Sequence, residues 1–182
     1  MKKALCAALL LVSSLGFASE HTFSNVQLDN LHYAYSFGEQ FQKNGKFKEP
    51  SKLYDNNGLG YIMAALAWQE SSAGVITTGK QGHHAYGIFQ NYLPTLRERV
   101  KQAGWSMTDA EIIRMLKNRK HSASWAYIEL SYWLDRHNGD MRKAIASYNA
   151  GNKWKAGNKY ASDVLAKANY LKSRKMLHYT VE

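Results

Sequence analysis

Residues 61–68, Tyr-Ile-Met-Ala-Ala-Leu-Ala-Trp, form an unbroken apolar run of eight, and only Gln69 separates it from Glu70. Such a run has no polar face to turn to water, so other elements must enclose it. Its alanines and leucine, and its extension from Leu59 to Ser71, predict a buried helix rather than a strand. A carboxylate at the end of that helix lies where core meets solvent. Partial desolvation disfavours its charged form and raises its pKa. A carboxyl that keeps its proton near neutral pH can donate it to a leaving group. Glu70 is therefore the candidate acid, and it needs a substrate site around it.

The N-terminus reads as a segment apart. Met1-Lys2-Lys3 is a short positive stretch, residues 4–12 are apolar, and Gly16-Phe17-Ala18 places small residues before a cut. This is the pattern of a secretory signal peptide over residues 1–18, too short for a comfortable membrane span; an uncleaved anchor is the alternative. Cys6 lies inside it. Its removal leaves 164 residues and no cysteine, hence no disulfide and no thiolate metal site. A chain of that length, residues 19–182, is expected to be one domain with its own core. The formal charge of +10 falls to +8 without Lys2 and Lys3. A basic exported protein suits an anionic partner such as a cell-wall polymer, and export argues against nucleic acid. The basic stretches, Arg114 to Lys120 and Lys153 to Lys159, are interrupted, and a merely soluble basic surface explains them equally well.

Helices account for most of what remains. Residues 19–28 read as an extended lead-in, Asp29 or Asn30 as the cap of a helix through Gln42, and residues 44–57 as a polar loop. Glycines at 74, 79 and 82 flank Val75-Ile76-Thr77-Thr78, which predicts an irregular loop or small hairpin over 74–86. Pro94 suits the first turn of a helix ending near Gly104. Thr108-Asp109-Ala110-Glu111 has the form of a capping box. Ser122 is the expected cap of a helix reaching Asn138-Gly139, and Asp140 that of the next, bearing Ala144, Ile145 and Tyr148. Ala161, Val164, Leu165, Ala168 and Leu171 mark a final helix. The fold class is all-α, with an insertion after Glu70.

Three segments place polar groups at the edges of apolar or glycine-bearing stretches: 67–72, Ala-Trp-Gln-Glu-Ser-Ser; 85–90, Ala-Tyr-Gly-Ile-Phe-Gln; and 144–151, Ala-Ile-Ala-Ser-Tyr-Asn-Ala-Gly. Ser71 can hold the carboxyl or the helix end. Gln90 offers a donor and an acceptor, and the Tyr148 phenol could orient Glu70. Asn149 sits at a helix terminus where its amide could meet a sugar. Singly these signals are weak, since a glutamate at a helix end is more often solvated and a glycine after a helix is more often only a stop.

In this order and spacing the segments resemble the signature motifs of the soluble lytic transglycosylase family, whose fold is similar to goose-type lysozyme. The family's Glu-Ser pair corresponds to Glu70-Ser71, its Gly-Leu-Met-Gln stretch to Gly87-Ile88-Phe89-Gln90, and its Ala-Tyr-Asn-Ala-Gly stretch to residues 147–151. Tyr160 and Val164 fall where the family tends to have a tyrosine and then a valine. The resemblance spans about residues 58–170. Ser72-Ala73-Gly74, His83-His84 and Ser147 depart from the usual pattern without removing a reactive group.

The resemblance implies a lysozyme-like domain that cleaves peptidoglycan between N-acetylmuramic acid and N-acetylglucosamine. It implies Glu70 as a single acid and then base, closing the sugar's own C6 hydroxyl onto C1 to give a 1,6-anhydro product. No obvious second carboxylate stands beside the motifs, whereas most glycosidases use two. Ser71, Gln90, Tyr148, Asn149, Tyr86, Trp154 and Tyr160 are the expected substrate-binding residues. His83-His84 has no third ligand in sequence, so neither metal nor cofactor is expected. The expected location is the periplasm or cell wall, with no stable membrane insertion once the leader is gone. Glycan strands are the expected partner, and a secretion apparatus, a conjugation apparatus or a phage lysis system is the setting. A hydrolytic muramidase on the same fold and a non-catalytic wall-binding protein are the competing readings. A membrane-active protein fits less well, for want of a strongly amphipathic lysine-rich helix.

Overall fold

The computed structural model describes residues 21–44, 59–78 and 82–177. The leader, the polar loop expected at 44–57 and the middle of the 74–86 insertion lie wholly or largely outside these residues. The elements are α1 (Asn25–Asn44), α2 (Gly60–Ser71), β1 (Ala85–Tyr86), β2 (Asn91–Tyr92), α3 (Leu93–Gln102), α4 (Asp109–Lys117), α5 (Arg119–Arg136) and α6 (Met141–Ala150). A 3-10 helix (Gly151–Gly157) and α7 (Asn158–Ser173) complete the fold. Among the described residues it is all-α apart from a two-residue antiparallel pair, in which Ala85 faces Tyr92 and Tyr86 faces Asn91, and a single bridge from Thr78 to Tyr86.

The apolar run becomes the central helix. Met63, Ala64, Ala65, Leu66 and Ala67 are all fully buried in α2, between α1 on one side and α7 on the other. Alanines allow neighbours to come close, and glycines at the crossing with α1 bring the backbones closer still. A Cβ at Gly38 would stand 2.7 Å from the Gly60 nitrogen. A first core gathers α1, α2, α5, α6 and α7, with Phe89 and Ile88 reaching in from the loop between β1 and β2. A second, smaller core joins Leu93, Leu96 and Val100 of α3 to Ile112 and Leu116 of α4 and Trp125 of α5. The chain between the two cores carries the site.

Several helix ends follow the residues expected to make them. Thr108 and Glu111 form the capping box in full, Asp140 caps α6, and Pro94 lies in the first turn of α3. Two expectations fail. The lead-in is shorter than expected, because Ser24 and Gln27 exchange hydrogen bonds of 3.3 and 2.9 Å and start α1 at Asn25. This is a capping box with glutamine as its fourth residue. The second failure is Ser122, which lies inside α5; Asn118 caps that helix instead, by accepting from the His121 N–H.

Candidate active site

The end of α2 is turned by left-handed residues in succession, Ser72 (φ 52°), Ala73 (φ 55°) and Gly74 (φ 89°). Side chains of α1 support this turn: Gln27 Nε2 donates to Ser72 O at 3.0 Å and Asn30 Nδ2 to Ala73 O at 3.0 Å. Ser71 ties the turn to the second motif, donating its hydroxyl to Ile88 O at 2.6 Å and accepting the Gly74 N–H at 2.8 Å. These bonds fix the direction in which Glu70 leaves the helix. Strained backbone held by its surroundings is characteristic of functional sites.

The second motif is the turn between β1 and β2. Gly87 has φ 80°, and a Cβ there would collide with the Leu116 carbonyl oxygen and the Ser122 hydroxyl. Ser122, buried in α5, accepts from Asn91 Nδ2 at 2.9 Å and from the Phe89 N–H at 3.4 Å, holding the second half of the turn. Gln90, itself at φ 45°, gives its side-chain N–H to Gly87 O at 2.9 Å and stands beside the cleft.

Glu70 opens on a cleft of about 690 Å³ between the two cores, within the usual range for small-molecule sites. Gln90 of the second motif and Tyr148 and Asn149 of the third line the same cleft, so all three motifs contribute to it. Burial pushes the Glu70 carboxyl up to about 7, against a partial counter-effect of a hydrogen bond from Tyr160. The Tyr160 hydroxyl, from α7, donates to Glu70 Oε1. The Tyr148 hydroxyl donates instead to Phe89 O at 3.2 Å. Both phenols are driven well above their ordinary pKa, first by burial and then by the charge of Glu70. They remain hydrogen-bond donors throughout the range in which Glu70 titrates.

Four of the expected substrate contacts, Ser71, Tyr160, Tyr86 and Trp154, lie outside the lining of this cleft. Ser71 is fully buried and ties the end of α2 to the second motif. Tyr160 rather than Tyr148 hydrogen-bonds the Glu70 carboxyl. Tyr86 is half-buried against the second core and lies outside the cleft lining. Trp154 packs on the first core in the 3-10 helix, edge-on to His137 at 6.2 Å, with the Lys143 ammonium 5.5 Å from its ring centre. It too lies outside the cleft lining.

The cleft also holds residues outside the motifs. Ile76 and Thr78 of the insertion lie on its rim with His83. Beyond them α3 contributes Tyr92, at its N-cap, then Thr95 and Arg99, and α5 contributes Trp125 and Glu129. Glu129 accepts from Trp133 Nε1 at 2.8 Å on one oxygen, and from Arg99 Nε and Nη2 at 3.3 and 3.2 Å on the other. The signal for them was helical spacing: 92, 95 and 99 share a helix face, as do 125 and 129. Among the described residues no group of three or more His, Cys, Asp or Glu could hold a metal ion. No helix among them is long and apolar enough to cross a membrane.

The family model for the transglycosylase SLT domain matches residues 50–170. The chain is also 65% identical over 177 residues to a protein of Enterobacteria phage T4, covering 97% of each chain. That relative is described as an uncharacterized 20.7 kDa protein in the vs-regB intergenic region. No solved structure matches the chain.

Proposed function

The chain belongs to the transglycosylase SLT domain family, whose members act on peptidoglycan, and from that membership we propose a lytic transglycosylase in which Glu70 is both acid and base. The observation that carries this reading is the carboxyl at the mouth of the cleft, raised to about 7 by burial. Near neutral pH a substantial fraction is protonated and can donate to the glycosidic oxygen between N-acetylmuramic acid and N-acetylglucosamine. The C1–O bond then breaks with the leaving sugar protonated. The carboxylate left behind takes the proton of the C6 hydroxyl as that oxygen bonds C1, closing the 1,6-anhydro ring and restoring the acid. A group with its pKa near the working pH suits both steps. Tyr160 holds one oxygen of Glu70, leaving the other to meet substrate, and the exposed Asn149 amide suits an N-acetyl group.

Glu129 supports a second reading, hydrolysis, because it shares the cleft with Glu70. Both its oxygens already accept hydrogen bonds, which favours a bracing role over activation of water. The two reactions give different products from purified peptidoglycan: anhydro ends for the lyase, reducing ends for the hydrolase. We expect anhydro products by mass spectrometry and their loss in Glu70→Gln, with the fold intact. Reducing ends that vanish in Glu129→Gln would establish hydrolysis instead.

Residues 1–18 are proposed as an export signal and residues 19–182 as one catalytic domain that acts in the periplasm or at the wall. The phage T4 relative favours a phage setting over a secretion or conjugation apparatus. N-terminal sequencing of exported protein checks the cut after Ala18; an intact Met1 would mean an anchor.

A further inference from the structure

The charge of the chain is not spread evenly. From Met141 to Leu177 stand nine lysines and arginines and a single acid, Asp163, whereas residues 4–140 carry a formal charge of only +1. The excess therefore sits on α6, the 3-10 helix and α7, which pack on one another. No single helix displays it, because each element supplies a few cations and the fold gathers them. Lys143 and Lys159 pair with Asp140 and Asp163, while Arg142 and Lys167 donate to the neutral Ser162 and Gln69. One acid in the stretch, with Asp140 at its edge, cannot offset nine cations. None of the nine lines the cleft, so the chemistry at Glu70 leaves this surface unused. Seven of the nine are lysines. A lysine ammonium is a hydrated point charge, suited to diffuse attraction by a charged surface more than to a bidentate grip on one ligand.

The chain enters the domain at the same surface. The His21 N–H donates to the Tyr170 hydroxyl of α7 at 3.0 Å, and the His21 ring meets the Trp68 and Tyr170 rings edge-on at 4.8 and 5.3 Å. The Lys167 ammonium is 5.2 Å from the Trp68 ring centre, and the Arg174 guanidinium is 5.7 Å from that of Tyr170. Lys172 and Lys175 are exposed at the end of α7 and just beyond it. Only residues 19–20 separate His21 from the apolar leader proposed at 1–18, and three peptide steps reach at most roughly 10 Å. A leader held in a membrane during export therefore brings the basic end of α7 to the lipid headgroups. Resting on that reading of residues 1–18, we propose that the basic surface of α6, the 3-10 helix and α7 docks on anionic lipid headgroups and keeps the exported protein at the membrane face, with the Glu70 cleft left free. Headgroup phosphates attract clustered lysines and arginines in this way without insertion of a helix.

The test mixes the exported protein with vesicles of phosphatidylglycerol and phosphatidylcholine, and with vesicles of phosphatidylcholine alone, at about 0.1 M salt. A retained leader contributes alike to both, so the excess bound to the anionic vesicles is the quantity read. Wild type should show such an excess. Lys172→Gln/Arg174→Gln/Lys175→Gln should bind anionic vesicles about tenfold or more weakly, since each cation near an anionic surface contributes a several-fold factor. Arg114→Gln/Lys117→Gln/Lys120→Gln removes as much charge from α4 and α5, and should weaken binding about twofold at most. If the first variant folds poorly, Lys153→Gln/Lys155→Gln on the 3-10 helix should itself weaken binding by about threefold or more. Equal losses for the two triple variants would reduce the effect to net charge and overturn the proposal. So would wild type with no excess. A first variant that loses binding to sacculi but keeps its binding to vesicles would make the wall the partner and overturn it too. Vesicle binding needs no cleavage, so it and the reading of Glu70 fail separately.

Discussion

Glu70 is costly to the fold for the same reason that it suits the proposed chemistry. Its carboxyl titrates near 7 in the folded protein and near 4.5 as a free side chain. Between those values the folded state holds a proton that the unfolded state has released, so stability falls as pH rises from about 4.5 to 7 and then levels. The whole effect approaches about 3 kcal/mol. Glu70→Gln, which cannot ionise, should be more stable than wild type above pH 7 by up to that amount, and about equal to it near pH 4. Denaturant midpoints at the two pH values check this; equal stability at both would mean the carboxyl is not desolvated. Tyr160→Phe should act differently. Its hydroxyl favours the charged form of Glu70, so its loss moves the alkaline limb of the pH–rate profile upward from about 7. The rate should also fall about tenfold or more, with KM little changed, because the carboxyl loses its orientation. An unmoved profile would show that the hydroxyl is no part of the site.

At the scale of elements, the turn between β1 and β2 depends on contacts from α4 and α5. Gly87 lies against the Leu116 carbonyl and the Ser122 hydroxyl with a left-handed backbone. Gly87→Ala should therefore displace Gln90 and Phe89 O, the acceptor of Tyr148. Activity should drop at least as far as for Tyr160→Phe, and stability by about 1–3 kcal/mol. A fully active, equally stable Gly87→Ala protein would contradict this account. How much the sequence discloses at this scale depends on where the cause lies. The buried helix, the capping box at Thr108, the cap at Asp140 and the stop at Gly151 have local causes, and the chain shows them directly. Ser122 looks like a cap because serine before a helical pattern usually is one, but Asn118 precedes it and takes that role. The hydroxyl of Ser122 serves a turn over thirty residues away in sequence, and periodicity holds no trace of that. The assignment of the carboxyl's partner to Tyr148 rather than Tyr160 fails for the same reason. Both tyrosines converge on one spot only after α6, the 3-10 helix and α7 have folded back on α2.

Taken as a whole, the molecule is a small catalytic unit with a charge excess that its internal ion pairs do not remove. Arg97–Asp109, Arg99–Glu129, Arg119–Asp29, Lys143–Asp140 and Lys159–Asp163 each join one cation to one anion, so each leaves the balance untouched. The formal excess, +10 over the full chain and +8 without Lys2 and Lys3 of the proposed leader, is carried by the remaining cations. Mostly exposed pairs of this kind contribute little to stability, so the excess matters for what the surface attracts. A wall mesh bearing many carboxylates would then hold the enzyme near its substrate by long-range attraction. Such attraction decays over about 10 Å at 0.1 M salt and about 3 Å at 1 M. The catalysis proposed at Glu70 would depend on buried geometry and be screened far less. Binding of the Glu70→Gln protein to purified sacculi should therefore weaken steeply as sodium chloride rises through that range, as followed by co-sedimentation. Cleavage of short, uncharged glycan fragments by wild type should change much less over the same range. Sacculus binding that ignores salt would place retention in the cleft contacts alone, and the basic surface would then serve solubility rather than targeting.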